Sequence, residues 1–413
     1  HVQPDQEPPM SQSETIAQPR APLALLVTLM VTSQVAITIF LPSMPSIAED
    51  LGTTQSLVQL TVSAYLGAFA VAQLVVGPIS DAIGRRKPML IGLVLFTLAS
   101  LACSAATSIE FLIAGRIIQA FGGCVCIAIS RAIVRDTSDG ASATRAMAYL
   151  GMSLAVAPTL APLLGGQLES FFGWQANFLF TAAMGATALL ATYLTLAETL
   201  PPEARKFTTA PALARTYVRL FGMRKFMGYS LSVGAMGSTF QAFLAGSPFA
   251  LIVLMGVSPQ VFGYFIISGS VGYIAGNFIS SRMARRTSRG RMIWIGGALA
   301  ITGTGIMVVQ SLIGLDTPIP LILPLAIYSI GSGFLAPNCL AGALTAVEPA
   351  TAGSAAALGG FIQMGSGFIS TLVVVALIHT SFLQLALVMF ACTTLSWLFF
   401  IVLVAPKERE PLL

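Results

Sequence analysis

The chain alternates long apolar runs with short polar segments, and this pattern predicts its secondary structure. Twelve runs are bounded by polar residues or by Gly and Pro, and each has roughly the 20 apolar residues that a helix needs to cross a bilayer. The pattern therefore predicts twelve membrane-spanning helices, numbered as spans 1 to 12 in chain order: 22–44, 55–79, 88–107, 109–131, 144–168, 174–197, 225–252, 260–282, 291–313, 319–342, 353–378 and 382–404.

The positions of the basic residues test this assignment. If twelve spans alternate in direction, every Lys and Arg except Arg116 falls in a tail or loop on one side of the membrane. Basic residues concentrate on the cytoplasmic side of membrane proteins. The sequence thus predicts a multi-pass protein of the bacterial inner membrane with both termini in the cytoplasm.

The longest polar segment inside the chain lies near its midpoint and separates six spans from six. Secondary transporters are often built from two such repeated halves, with the substrate site between them at mid-membrane. We therefore expect an all-α protein made of two pseudo-symmetric six-helix bundles. The expected divisions are a cytoplasmic tail, a first bundle, a central loop, a second bundle and a second tail: 1–21, with a possible cloning remnant at 1–9, then 22–198, 199–222, 223–404 and 405–413.

Composition supports a membrane protein and argues against other classes. The 413 residues are 55% hydrophobic and only 9% charged, whereas soluble domains carry about 25% charged residues. The five cysteines all lie in apolar runs, so neither a disulfide framework nor a metal site is expected. The net charge of +5 is explained by loop placement, and we expect no nucleic-acid partner and no cofactor.

The loop between spans 2 and 3 contains a motif that can carry a conformational function. It reads Gly77-Pro-Ile-Ser-Asp81-Ala-Ile-Gly84-Arg85-Arg86, and a weaker version follows span 8. Gly77 is expected to allow close helix approach, and Gly84 a tight turn. Both arginines are expected to pair with Asp81 and other carboxylates, in a charge latch that differs between two conformations. A simpler alternative is that the basic residues only set topology.

Arg116 is the one basic residue that falls inside a span. Placing it there costs roughly 2.5–3.5 kcal/mol, which favours a functional position facing the bundle over a side chain that snorkels to the interface. Other polar residues expected to line a substrate cavity lie on spans 1, 2, 4, 7, 10 and 11. The complete set of predicted cavity residues is Thr32, Gln34, Thr38, Phe40, Tyr65, Arg116, Gln119, Gln241, Tyr328 and Gln363.

Span 5 contains two prolines and two glycines in an ordered pattern, Ala157-Pro158-Thr-Leu-Ala-Pro162-Leu-Leu-Gly165-Gly166. Small residues on adjacent turns let a neighbouring helix pack tightly, and proline bends a helix. Ordinary membrane packing would account for single residues of this kind, but the ordered combination favours a specialised helix.

Taken together, these motifs resemble the major facilitator superfamily. The loop after span 2 is similar to its GxxxDxxGRR signature, span 4 to the signature of proton-coupled drug exporters, and span 5 to the antiporter motif GPxxGG. Phe40-Leu41-Pro42 after span 1, Ser247-Pro248-Phe249 and Pro337-Asn338 resemble the bicyclomycin-resistance (Bcr/CflA) branch. The resemblance runs from about residue 22 to 404 and implies a drug or metabolite exporter.

One position departs from that branch. Its members usually carry an aspartate near the end of span 1, where this chain has Thr38, and no carboxylate falls at mid-membrane. Arg116 therefore lacks an obvious acidic partner, and Coulomb repulsion is expected to disfavour cationic substrates. We expect a neutral, zwitterionic or anionic compound. Thr38→Asp would introduce a titratable group.

The leading hypothesis is a monomeric secondary exporter of a small amphipathic compound that works by alternating access, with protons as the expected counter-ion. An uptake permease or facilitator of the same fold is the first alternative, since it agrees with the missing aspartate. A multispan enzyme acting on lipids is the second. That alternative requires a convergent nucleophile or metal cluster, which the sequence does not contain.

Overall fold

The computed structural model describes residues 22–138, 140–205, 207–284, 286–348, 351–377 and 381–405. The predicted N-terminal tail and all of the predicted C-terminal tail except Ala405 lie outside these residues. Within the described part of the chain the regular structure is entirely helical.

The prediction of twelve spans is confirmed. In the described residues, twelve helices are long and apolar enough to cross a membrane. In chain order they are Leu23–Asp50, Gln55–Ile83, Arg86–Ser104, Ile109–Thr137, Arg145–Phe172, Gln175–Thr195, Arg224–Leu254, Pro259–Met283, Arg289–Leu312, Ile319–Thr345, Ala352–Leu377 and Phe382–Leu403.

Three of the spans are composite, and one helix starts earlier than its span. Span 1 consists of Leu23–Thr38, a 3-10 turn and Met44–Asp50. Span 7 continues from an α-helix into a π-helical segment, Pro248–Leu254, span 10 begins with a 3-10 turn, and the helix of span 5 starts at Gly140. Several helices extend beyond the predicted apolar runs, because a helix continues through the headgroup region where polar side chains are solvated.

Local sequence signals set several helix starts. Thr54 Oγ1 accepts a hydrogen bond from the backbone N–H of Leu57 at 3.3 Å, and Ser108 Oγ accepts one from Phe111 at 3.3 Å. Such N-caps satisfy donors that a helix leaves free in its first turn. The two residues fix the starts of spans 2 and 4.

The packing of the spans repeats between the two halves. In the first half, span 4 packs on spans 1, 2 and 3, span 6 on spans 1 and 3, and span 5 on span 1. The second half has the equivalent contacts: span 10 packs on spans 7, 8 and 9, span 12 on spans 7 and 9, and span 11 on span 7. Between halves, span 2 packs on span 11 and span 5 on span 8. The repeat suggested by the sequence is therefore present in the packing.

A helix that the sequence analysis did not predict lies in the central loop. Ala210–Phe221, which we call the central helix, follows a 3-10 turn at Pro202–Ala204 and ends three residues before span 7 begins. Its apolar residues Leu213, Tyr217 and Leu220 recur at helical spacing, and Leu220 is buried. This periodicity was visible in the sequence, but the segment is too short and too polar overall to resemble a span.

Candidate functional site

Arg85 contacts Asp81, as the predicted charge latch requires, and also two further residues. Its guanidinium Nη1 donates to an Asp81 carboxylate oxygen and to Ser80 Oγ at 2.7 Å, and its Nε donates to Asp136 Oδ2 at 2.7 Å. Only 4% of the Arg85 side chain is exposed, against 17% of Asp136 and 45% of Asp81. Span 2 and the end of span 4 are thus joined through one buried cation.

Electrostatics favour the charged form of this arginine. Burial on its own lowers the pKa of Arg85, but the hydrogen bonds and charges of Asp136 and then Asp81 outweigh burial and raise that pKa above its ordinary value. Arg85 is therefore a permanent cation, and its guanidinium binds both carboxylates at the same time through different nitrogen atoms.

The second arginine of the motif does not join this network, so the prediction that both arginines pair with Asp81 is wrong for Arg86. Its Nη2 donates to the backbone carbonyl of Tyr193 at 2.9 Å, and its guanidinium carbon lies 5.7 Å from the centroid of the Tyr193 ring. Arg86 thus anchors span 3 to the end of span 6.

A carboxylate that the sequence analysis missed organises the same turn. Glu198, which follows span 6, accepts hydrogen bonds from the backbone N–H groups of Arg85 at 2.8 Å, Arg86 at 3.3 Å, Thr199 at 3.0 Å and Leu200 at 3.1 Å. An acidic group at a helix N-terminus satisfies free donors and interacts favourably with the helix dipole. Because Glu198 lies 113 positions from Arg85 in the chain, no local signal pairs them.

The two motif glycines have different environments. Gly84 has φ +95°, which side-chain-bearing residues rarely adopt, and a Cβ atom there would overlap the Glu198 carboxylate. Its predicted role in a tight turn is confirmed. Gly77 is different, because a Cβ atom there would meet nothing within 4 Å. The expectation that Gly77 permits close helix approach is therefore wrong in this conformation.

Arg116 is completely buried inside the first half. Its Nη1 donates to the backbone carbonyl of Ala36 at 2.8 Å and to Gln119 Oε1 at 2.6 Å, and Gln119 Nε2 donates to Ser100 Oγ at 2.7 Å. Ser100 is a member of this chain of hydrogen bonds that sequence reasoning did not single out. The bonds link spans 1, 3 and 4 and confirm that Arg116 faces the bundle.

Two aromatic rings enclose the guanidinium. Its carbon lies 4.5 Å from the centroid of Phe40 and 4.3 Å from that of Tyr65, within the range of cation–π attraction. The Nε and Nη2 atoms of Arg116 are buried and have no hydrogen-bond partner in the described residues, and the ion pairs found there do not include Arg116. Four predicted cavity residues, Phe40, Tyr65, Arg116 and Gln119, thus form one cluster.

The hydroxyl of Thr38, the residue that replaces the usual aspartate, contacts span 5. Thr38 is buried, and its hydroxyl lies 3.5 Å from the backbone carbonyl of Pro158 in span 5. Arg116 instead contacts span 1 through Ala36 and Phe40, on either side of Thr38.

The remaining predicted cavity residues do not join this cluster. Thr32 is buried and bonds its own helix, through the Thr28 carbonyl at 2.8 Å. Tyr328 is buried in the second half, where its hydroxyl donates to the Met236 carbonyl at 3.1 Å. The three glutamines are half-buried: Gln34, Gln241 and Gln363.

Span 5 makes the close contacts expected of its glycines. A Cβ atom on Gly165 would overlap the backbone carbonyl of Ile39 in span 1, and one on Gly166 would overlap that of Pro259 at the start of span 8. Pro158 and Pro162 both lie inside this helix. The motif therefore places backbone against backbone both within the first half and between the halves.

The fold and this arrangement define the class of protein: a multi-pass membrane transporter with two six-helix halves. The model of the Major Facilitator Superfamily matches residues 26–371. Among solved structures, a D-xylose-proton symporter superposes with a TM-score of 0.75 at 15% identity, covering 92% of this chain and 96% of that one. This chain belongs to the Major Facilitator Superfamily, and it is a transporter and not an enzyme.

Curated relatives agree with the branch indicated by the sequence. The chain is 34% identical to the MFS-type transporter YdgK of Bacillus subtilis over 93% of this chain and 95% of the relative. It is 31% identical to multidrug resistance protein D of Escherichia coli, over 85% and 87% of the two chains. Identity to a bicyclomycin resistance protein homolog of Haemophilus influenzae is 26%, over 86% and 89%. The resemblance to the Bcr/CflA branch is thus confirmed.

Proposed function

We propose that this transporter exports a small amphipathic organic compound, a drug or a metabolite, by alternating access. The names of two relatives, a multidrug resistance protein and a bicyclomycin resistance protein homolog, support export. The close backbone contacts of Gly165 and Gly166 support the antiporter motif of span 5. The proposed setting is a monomer in the bacterial inner membrane with both termini in the cytoplasm.

The buried Arg116 is the observation that carries the proposal on substrate charge. Its guanidinium lies against two aromatic rings. Within the described residues it forms no ion pair, and two of its donor atoms have no hydrogen-bond partner. In a low-dielectric site the electrostatic repulsion between this guanidinium and a cationic substrate is large. A carbonyl or carboxylate oxygen of a substrate can instead accept hydrogen bonds from the two unpaired N–H groups. The proposed substrates are therefore neutral, zwitterionic or anionic.

Proton antiport is the proposed energy source. Three groups are candidates for the proton carrier. Asp81 and Asp136, which both accept hydrogen bonds from Arg85, are two of them. The substrate itself is the third candidate. The position usually held by an aspartate is Thr38, whose hydroxyl lies toward span 5.

Uptake by a permease or facilitator of the same fold is the second candidate function. The observation that favours it is the absence of a carboxylate at position 38, because a facilitator needs no proton carrier. The direction of net transport in oriented vesicles distinguishes the two candidates.

The proposal is tested by drug susceptibility in an efflux-deficient bacterial host. A panel of neutral, zwitterionic, anionic and permanently cationic compounds is scored for the wild type, Arg116→Ala and Arg116→Lys. We expect increased tolerance to members of the first three groups and its loss in Arg116→Ala. Arg116→Lys keeps the charge but loses the planar fork of donors, and it should recover only part of the tolerance.

A second assay measures flux in proteoliposomes with and without an imposed pH gradient, using a compound that the screen identifies. Acceleration by the gradient supports antiport, whereas equal rates without it contradict proton coupling. Robust export of a quaternary ammonium compound contradicts the charge argument.

A further inference from the structure

The proline of the signature motif leaves one backbone carbonyl of span 2 without its usual partner. Pro78 lies inside the helix Gln55–Ile83, and proline has no N–H group to donate to the carbonyl four residues earlier. That carbonyl belongs to Leu74. A backbone acceptor that is buried and unpaired costs free energy. The Leu74 carbonyl is therefore expected to accept a hydrogen bond from another group.

The partner comes from the central helix, far away in the chain. The hydroxyl of Tyr217 donates to the Leu74 carbonyl oxygen at 2.9 Å, across 143 positions of sequence. Burial raises the pKa of Tyr217 to about 12, which keeps the hydroxyl protonated and available as a donor at neutral pH. The bond lies about two turns before Asp81 in the same helix, so it reaches the helix that carries the predicted charge latch.

The rest of the central helix is attached to the second half. It packs against spans 7 and 11, and Arg219 pairs with Glu348 at 3.3 Å in the loop between spans 10 and 11. Its buried Leu220 belongs to a hydrophobic cluster with residues of both halves. That ion pair is about two-thirds exposed on both sides, and such pairs contribute little. Among the described residues, the Tyr217 bond is a polar link from this helix to the first half.

We propose that Tyr217 is a positioning residue for the transport cycle. Its hydroxyl replaces the N–H donor that Pro78 lacks and so connects the central helix to span 2 near the signature motif. Because the central helix packs on the second half, the bond also connects the two halves. When the halves separate at this end, the bond has to break, and the Leu74 carbonyl is left unpaired. The strength of this link biases the equilibrium between the two conformations. The inference goes beyond the proposed export function and does not depend on any substrate.

The test is a double-mutant cycle read by amide hydrogen exchange on the purified full-length protein. Tyr217→Phe removes the donor and keeps the ring. One hydrogen bond changes an equilibrium by about 2- to 12-fold, so exchange in residues 210–221 and at the start of span 11, residues 352–360, should rise by that factor. Tyr149→Phe, at an exposed tyrosine of span 5, is the matched control and should change neither region.

Pro78→Ala supplies a backbone N–H for Leu74 and makes the tyrosine hydroxyl dispensable. In that background the effect of Tyr217→Phe should fall below about twofold, since no hydrogen bond is lost. An unchanged exchange rate in Tyr217→Phe alone would overturn the proposal. An equal increase in both backgrounds would also overturn it, because it would show that the hydroxyl does not act through the Leu74 carbonyl. Pro78→Gly supplies the same N–H if the alanine variant fails to give a monodisperse elution profile.

Discussion

The charge latch makes a quantitative prediction because its cation is buried and its two carboxylates differ in exposure. Arg85 is shared by Asp81 and Asp136, and Asp136 is much less exposed than Asp81. If the latch holds one conformation and is broken in the other, then neutralising either carboxylate shifts the equilibrium between them. The two variants are Asp81→Asn and Asp136→Asn.

The magnitude follows from the hydrogen bonds that are weakened. A hydrogen bond to a charged group contributes roughly 1.5–3 kcal/mol. For the partly exposed Asp81 we use the lower end, about 1.5 kcal/mol, which corresponds to about a tenfold shift. For Asp136 the upper end, about 3 kcal/mol, corresponds to more than a hundredfold shift. Both variants should insert normally and lose most transport, and Asp136→Asn should be the more severe.

The assay is the initial transport rate in proteoliposomes, normalised to the amount of folded protein, with a compound identified by the susceptibility screen. Glu203→Gln is the matched control, since Glu203 is an exposed carboxylate of the central loop and its neutralisation should leave the rate unchanged. Wild-type rates in both aspartate variants would refute the reasoning and leave the motif as a topology signal. A larger effect of Asp81→Asn than of Asp136→Asn would refute the use of burial to rank them.

Two glycine pairs provide further predictions. Gly84→Ala should lower the thermal midpoint by several degrees, because the backbone φ of residue 84 is unfavourable for alanine and the added Cβ atom overlaps a carboxylate. Gly77→Ala should leave the midpoint unchanged or raise it slightly. Both midpoints are measured by thermal unfolding in detergent. Gly166→Leu should abolish transport by separating spans 5 and 8, whereas Gly151→Leu on the same helix, where a Cβ atom meets nothing within 4 Å, should transport normally. Equal midpoints for the first pair, or equal rates for the second, would contradict the contacts on which these predictions rest.

The outcome for individual residues shows which features sequence patterns capture. Arg116 was identifiable because a lone charge in an apolar span is costly wherever it points. Gly84 was identifiable because a turn between two helices restricts its backbone. Gly77 was misjudged, since a glycine in a helix has no local signal that tells whether a neighbour approaches it.

The sequence by itself determined the number of spans, the repeat of two halves and the family. These properties follow from hydropathy, from the placement of charge and from contiguous motifs, which act through the bilayer or through neighbouring residues. They need no knowledge of which spans touch.

Only the tertiary structure decided which residues form hydrogen bonds with one another across the fold. Glu198 caps the start of span 3, Asp136 shares Arg85 with Asp81, and Tyr217 bonds a carbonyl that Pro78 left free. Each of these contacts joins residues at least 51 positions apart. Hydrogen bonds depend on distances of about 3 Å and on direction, and only the packing of the helices brings such groups together.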